Sequence, residues 1–247
     1  MTATVMVAAA AWVVLTSVAH VVPASRFPAP LDVLHAGRQL ATSGYAGATI
    51  WGHVATSLGT VIGAFAVAGA AGTLLGILMG SSRRFEAFVN PVFLLLRPIP
   101  PLAWIPLAIV WFGIGVQSKI FVVSLAAFVP AAINSYTGVR SIDPALIAAA
   151  RVHGASSRVV LGEVLIPGAL PMIFTGLRIS LQASWAALVA AELVGAVAGL
   201  GHVMTSAAYD IYPGMVLYAM LWVGGLGATT SLALAALERR AIPWARR

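Results

Sequence analysis

Cysteine is absent from the 247 residues, which excludes disulfides, thiolate nucleophiles and cysteine-based metal sites. Charge is scarce, at 9% of residues, and Lys119 is the only lysine. The five histidines, His20, His35, His53, His153 and His202, are scattered with no pair at helical i, i+4 spacing, so no metal site is expected. There is no GxxxxGK[ST] loop to cradle a nucleotide. No carboxylate pair or Ser-His-Asp grouping stands at catalytic spacing, so no catalytic residues and no chemistry on a substrate are expected.

What the chain has in abundance is apolar sequence, 60% hydrophobic with a mean hydropathy of +0.97. That is far outside the range of a soluble globular domain and marks an integral membrane protein. The excess of 14 Lys and Arg over 7 Asp and Glu would suggest nucleic acid in a soluble protein. In a membrane protein basic residues gather in the cytoplasmic loops, and no nucleic acid is expected.

The expected fold class is all-α integral membrane with six transmembrane helices in one domain, 1–247: TM1 3–22, TM2 53–80, TM3 93–112, TM4 120–138, TM5 171–197 and TM6 213–237. For the first run the rival is a cleaved signal peptide, disfavoured because no Lys or Arg precedes it and it is long for a signal core. In TM2, Gly59 and Gly63, then Gly72, Gly76 and Gly80, follow small-xxx-small spacing, which lets helix backbones approach closely in lipid. Before TM3, Phe85 to Leu96 reads as an interfacial helix. It leads into Pro98, Pro100, Pro101 and Pro106, too many prolines for a regular helix. A broken backbone at membrane depth needs protein or a water-filled cavity around it, so this is either a pathway region or a simple entry bend.

The longest polar interruption is Asp143 to Pro171. Asp143 can cap a helix, Pro144 suits its first position, and Gly154 can take the left-handed conformation that closes it. A second short helix is expected from Arg158 to Ile166, capped by Ser157 and ended by Pro167, whose nitrogen has no hydrogen to donate. The small side chains Ala148 to Ala150 would let a partner approach, with Arg151, His153 and Arg158 offering polar contacts around them. The bland reading is a surface hairpin without a partner.

Charge sets the orientation. With both termini inside, the cytoplasmic side holds Arg83, Arg84, Arg97, Arg140, Arg151, Arg158, Arg178 and the arginines of the tail, whereas the outside holds Arg26, Arg38 and Lys119. On TM5, Arg178, Gln182, Trp185, Val189 and Glu192 recur at helical spacing on one face. Charge in a span usually faces the bundle interior or a wet cavity, so Arg178, Gln182, Trp185 and Glu192, with Asn134 on TM4, are the candidate pathway residues. The competing reading places Arg178 and Glu192 at the two interfaces, serving packing. Gly199 to Tyr212 reads as an outer loop and short helix.

IAAARVHGASSRVVLGEVLIPGALP resembles the coupling signature of ABC importer permeases: EAA, three residues, Gly, nine residues, Ile-x-Leu-Pro. Ala149 and Ala150 match the alanines, Gly154 the glycine, Val164 and Ile166 the aliphatic positions and Pro167 the proline. Ala148 stands where the family usually has glutamate. RPIPPLAWIPLAIVWFGIG and FPAPLDVL also look like the branch importing sulfonates, taurine, nitrate or bicarbonate, whose relatives carry pyrimidine precursors and aromatic acids.

The resemblance implies a type I ABC importer permease fold with a cytoplasmic coupling helix, within element 143–167, between TM4 and TM5. It makes Ala149, Ala150, Arg151, Gly154, Ala155 and Pro167 the candidate ATPase-coupling residues. It implies two ATP-binding ABC subunits that hold ATP and Mg, a second permease copy, an extracytoplasmic solute-binding protein and a place in the bacterial cytoplasmic membrane. The implied solute is a small anion. Two other classes remain at this stage: a proton-coupled secondary transporter using Glu192, for which an inverted repeat would be expected, and a membrane-embedded assembly protein.

Overall fold

The structure, a computed structural model, describes residues 2–18 and 27–246. The described residues are helical and contain no strand, only an isolated bridge between Tyr45 and Ala48. The helices are α1 (Thr2–Val13), α2 (Pro30–Thr42), α3 (Ile50–Ser81), α4 (Arg83–Leu96), α5 (Ile105–Phe112), α6 (Val116–Arg140), α7 (Pro144–Val152), α8 (Ser157–Gly195), α9 (Leu200–Tyr209) and α10 (Pro213–Ala241). Four of them, α3, α6, α8 and α10, are long and apolar enough to cross a bilayer. The last residues of the first expected span, 19–22, lie outside the described residues, as do His20 and Arg26.

The region of the third expected span is broken. Helix α4 ends at Leu96, a 3-10 turn covers Pro101–Trp104, and α4 and the Pro101–Phe112 segment meet at a bend of 78°. Pro98, Pro100 and Pro101 are the cause, since three missing N–H groups in four residues remove the ladder that would keep the helix straight. Counting the bent pair as one crossing brings the apolar spans to five.

A second difference concerns Pro167. No helix ends there: α8 runs unbroken from Ser157 through Pro167 and Pro171 to Gly195. The helix instead widens just before the proline into a π turn, Val160–Leu165, where the Ile166 N–H reaches back five residues to the Leu161 carbonyl. Such a rearranged ladder is where a helix can absorb a missing donor. The cap also shifts by one residue, with Ser156 Oγ accepting from the Val159 N–H at 3.4 Å.

The chain divides into two compact units, Met1–Gly59 with Val189–Leu226, and Thr60–Leu188 with Gly227–Arg247. In the first, Ala36 and Leu40 of α2, Ile50 and Val54 of α3, and Leu200, Val203 and Ala207 of α9 form a buried apolar cluster with Met215 and Ala219 of α10. In the second, the glycines of α3 let it lie directly on α6. A Cβ on Gly72 would stand 2.4 Å from the Phe128 carbonyl oxygen, and one on Gly76 2.3 Å from that of Ala132. Gly59 and Gly63, in contrast, have nothing within 4 Å of such a Cβ. Only the lower part of the glycine stripe is a packing surface. A second cluster joins Val139 of α6 to Val160, Leu165, Ala169 and Ile173 of α8.

Candidate functional site

Helix α7 is built by its own ends. Asp143 Oδ1 accepts from the Ala145 N–H at 2.8 Å, and Pro144 takes the first helical position. At the other end Gly154 has φ +83, its N–H donates to the Arg151 carbonyl at 2.9 Å, and the Ala155 N–H donates to the Ala150 carbonyl at 3.1 Å. These two bonds with a left-handed glycine make a Schellman closure, which satisfies carbonyls that the last turn would otherwise leave open. His153 Nδ1 adds a contact to the Ala149 carbonyl at 2.9 Å.

The two faces of α7 differ. Ile147 and Ala150, with Ala155 just beyond the helix, pack on the Val139, Val160 and Leu165 cluster. On the other side Leu146 is 58% exposed, Val152 is 86% exposed, and Ala149 between them is open as well. Positions 146, 149 and 152 recur every three residues and so lie along one side. An anchored inner face and a bare apolar outer one are the anatomy of a helix that docks onto something. Ala149, Arg151 and Gly154 are exposed, Ala150 and Ala155 half-buried, and Pro167 half-buried within α8. Leu146 and Val152 are absent from the motif reading. The signal for them was available, as large apolar residues in a segment otherwise rich in alanine and polar side chains.

The polar stripe of α8 is divided among different tasks. Arg178 pairs with Glu238 of α10. Trp185 is buried and its Nε1–H donates to Thr230 Oγ1 at 3.1 Å. Gln182 is exposed. Asn134 sits where α6 crosses α8: a Cβ on Gly176 would lie 2.6 Å from its own, and its amide donates to the Pro130 carbonyl at 2.9 Å. Of the five candidate pathway residues, only Arg178 and Gln182, one turn apart, present open polar surface.

Glu192 is 1% exposed and engaged. Its carboxylate accepts from Ser57 Oγ at 2.9 and 3.1 Å and from the Gly201 N–H at 2.8 Å. Ser57 Oγ in turn accepts from the Leu200 N–H at 2.9 Å. His53 Nδ1 accepts from the Gly199 N–H at 3.1 Å while Nε2 faces the Tyr45 carbonyl at 2.9 Å, an arrangement that requires the neutral Nε2–H tautomer. Together these side chains fasten the start of α9, with its open backbone N–H groups, to α3. Nothing in the sequence pairs Glu192 with Ser57, which lies 135 residues away.

Residues 72–243 match the family described as binding-protein-dependent transport system inner membrane component. The chain belongs to this family. It is 42% identical over 88% of its length to the taurine transport system permease protein TauC of Escherichia coli strain K12, covering 79% of that protein. It is 36% identical over 87% of its length to the bicarbonate transport system permease protein CmpB of Synechococcus elongatus, covering 81% of it. Among solved structures, a chain of the MetNI methionine ABC transporter superposes with a TM-score of 0.66 at 23% identity, over 76% of this chain and 94% of that one. At that identity the likeness concerns the fold. The protein is thus the membrane-spanning permease subunit of an ABC importer, a multi-pass inner-membrane component that works with ATPase and binding-protein partners. The permease reading prevails over the proton-coupled alternative built on Glu192.

Proposed function

We propose that the permease imports a small oxyanionic solute, a sulfonate such as taurine or a related anion such as bicarbonate, delivered by an external binding protein. The relatives named for taurine and bicarbonate support that class, since sulfonate and bicarbonate share a compact, charged, oxygen-rich head. Six spans with both termini in the cytoplasm complete the reading, the first being the apolar run 3–22. Helix α7 is the coupling helix, and two copies of the chain dock two ATPase subunits, which bind the ATP and Mg. Arg178 and Gln182 face the solute pathway. Catalytic residues are none in this chain.

One observation carries the reading. Helix α7 is held from below by Ile147 and Ala150 and closed by Gly154, and it leaves Leu146, Ala149 and Val152 uncovered. A short, rigid, one-sided helix can transmit a partner's motion because it cannot yield internally. ATP-driven closure of the ATPase subunits would move α7 and, through the covalent continuity at both ends, α6 and α8. The alternation between inward and outward access follows from that push.

The test is uptake of radiolabelled taurine and ATP hydrolysis measured in the same vesicles, with the permease, its ATPase and its binding protein reconstituted together. Gly154→Val forces a β-branched side chain into a left-handed backbone, and Leu146→Asp places a charge on the docking face. Both are expected to abolish uptake while the permease stays folded. Uptake that persists without any ATPase present overturns the reading.

A further inference from the structure

A cavity of about 550 Å³ opens beside α7, within the second unit. Its wall takes residues from five helices and the turn between two of them: Ser81 at the end of α3, Arg83 at the start of α4, Arg140 at the end of α6, Arg151 of α7 and Arg158 at the start of α8. Four arginines and no carboxylate line it. Arg140 is already paired with Glu86 and also accompanied by the Tyr136 ring at 5.8 Å. Among the described residues Arg83, Arg151 and Arg158 have no ion-pair partner, and the nearby Asp143 is engaged in capping α7. Three arginines lining one hollow, with their charge unbalanced, call for an anion with several oxygens, which their planar forks bind in pairs.

The rest of the wall says which anion. The rest of it is largely apolar, with half-buried Ile142, Ile147 and Leu161 lying over buried Val160 and Leu165. The two spans α3 and α6 both end at this cavity, so it lies at the level of the membrane surface. A polar, cationic rim over an apolar floor at that depth fits a molecule with a phosphate head and a hydrocarbon tail, whereas a free phosphate would leave the floor unused. We propose that this cavity is a binding site for one anionic phospholipid per chain, its phosphate held by Arg83, Arg151 and Arg158 and its upper acyl segment on the apolar floor of Ile142, Ile147 and Leu161. Because α7 contributes Arg151, the lipid props the inner side of α7 against α8 while the Leu146 to Val152 face stays free. The assignment rests on the chain spanning a membrane and is independent of its coupling to ATP.

The experiment is native mass spectrometry of the purified full-length permease, delipidated and then offered equal amounts of phosphatidylglycerol and phosphatidylcholine. One phosphatidylglycerol per chain should be retained in preference to phosphatidylcholine. Arg83→Gln combined with Arg158→Gln should reduce that preference on the order of tenfold. Arg239→Gln combined with Arg240→Gln makes the same change in net charge on the tail and should leave it intact. Equal retention of the two lipids by the unmodified protein overturns the proposal, whether or not the variants fold. So does an equal loss in both double variants, which would mean unspecific surface charge. Displacement of the lipid by glycerol phosphate at equal concentration would assign the site to a free anion. Retention of lipid by the Arg83 and Arg158 variant together with loss of ATPase association would assign the arginines to the partner subunit.

Discussion

Gly76 shows what a single hydrogen atom in place of a side chain does in this protein. The Ala132 carbonyl occupies the space a Cβ would need, at 2.3 Å, and because the obstacle is backbone the helices must part. Gly76→Val should therefore lower stability in detergent by about 1–3 kcal/mol, as overpacking does. Gly63→Val, with nothing within 4 Å, should stay within about 0.5 kcal/mol of the parent. Thermal unfolding of both checks the pair. At Glu192 the argument is polar. Glu192→Leu leaves the Gly201 N–H buried with no acceptor from that side chain, a cost of about 1–3 kcal/mol, and the same melting experiment reads it. Tyr45, outside the spans, donates to Asp210, and burial first, then that carboxylate, raise its phenol above the ordinary 10.0. The folded state therefore favours the neutral phenol. Its stabilising effect is complete below about pH 10 and is lost as pH rises through the raised value. Absorbance titration should show one tyrosine, missing in Tyr45→Phe, that ionises late.

Helix α7 is too short to be stable alone, nine residues against the dozen or more an isolated helix needs. It persists because Asp143 satisfies one end, Gly154 closes the other and Ile147 ties the middle to the α6–α8 cluster. Asp143→Ala removes a cap worth roughly 1 kcal/mol. Hydrogen exchange of the first α7 amides should then quicken about fivefold, that free energy being about fivefold in a local opening equilibrium. The short length of α7 and its signals were legible from the residues alone, since capping is a property of neighbours in sequence. The continuation of α8 through Pro167 was not. A proline normally signals a stop, and only the π turn before it, Val160–Leu165, with buried Val160 and Leu165 holding the widened turn in place, lets the helix go on.

For the molecule as a whole, apolar surface greatly exceeds what the chain itself covers. In the most apolar stretch of α10 only 6% of residues are buried, so lipid or a second copy must cover the rest. That agrees with a subunit that works in an assembly. If Gln182 and Arg178 face the pathway of that assembly, Gln182→Leu should slow taurine uptake several-fold without changing the melting temperature. Arg178→Ala, which also breaks the pair with Glu238, should affect both. Uptake assays and melting curves on the two variants separate a pathway role from a structural one.

Membrane residence, the long spans, the caps of α7 and the family signature from Ala149 to Pro167 followed from the sequence by itself. Each depends on residues close together along the chain or on bulk composition, and neither needs a fold to be read. The tertiary structure decided which residues of a periodic stripe share a task. Arg178, Trp185 and Glu192 fall on one helical face, yet three different partners distant in the chain claim them: Glu238, Thr230 and Ser57. It also decided that Gly72 and Gly76 touch α6 while Gly59 and Gly63 do not. Periodicity states which way a side chain leaves its own helix. What waits there is set by chain folded back from 45 to 135 residues away, and that depends on how the helices pack.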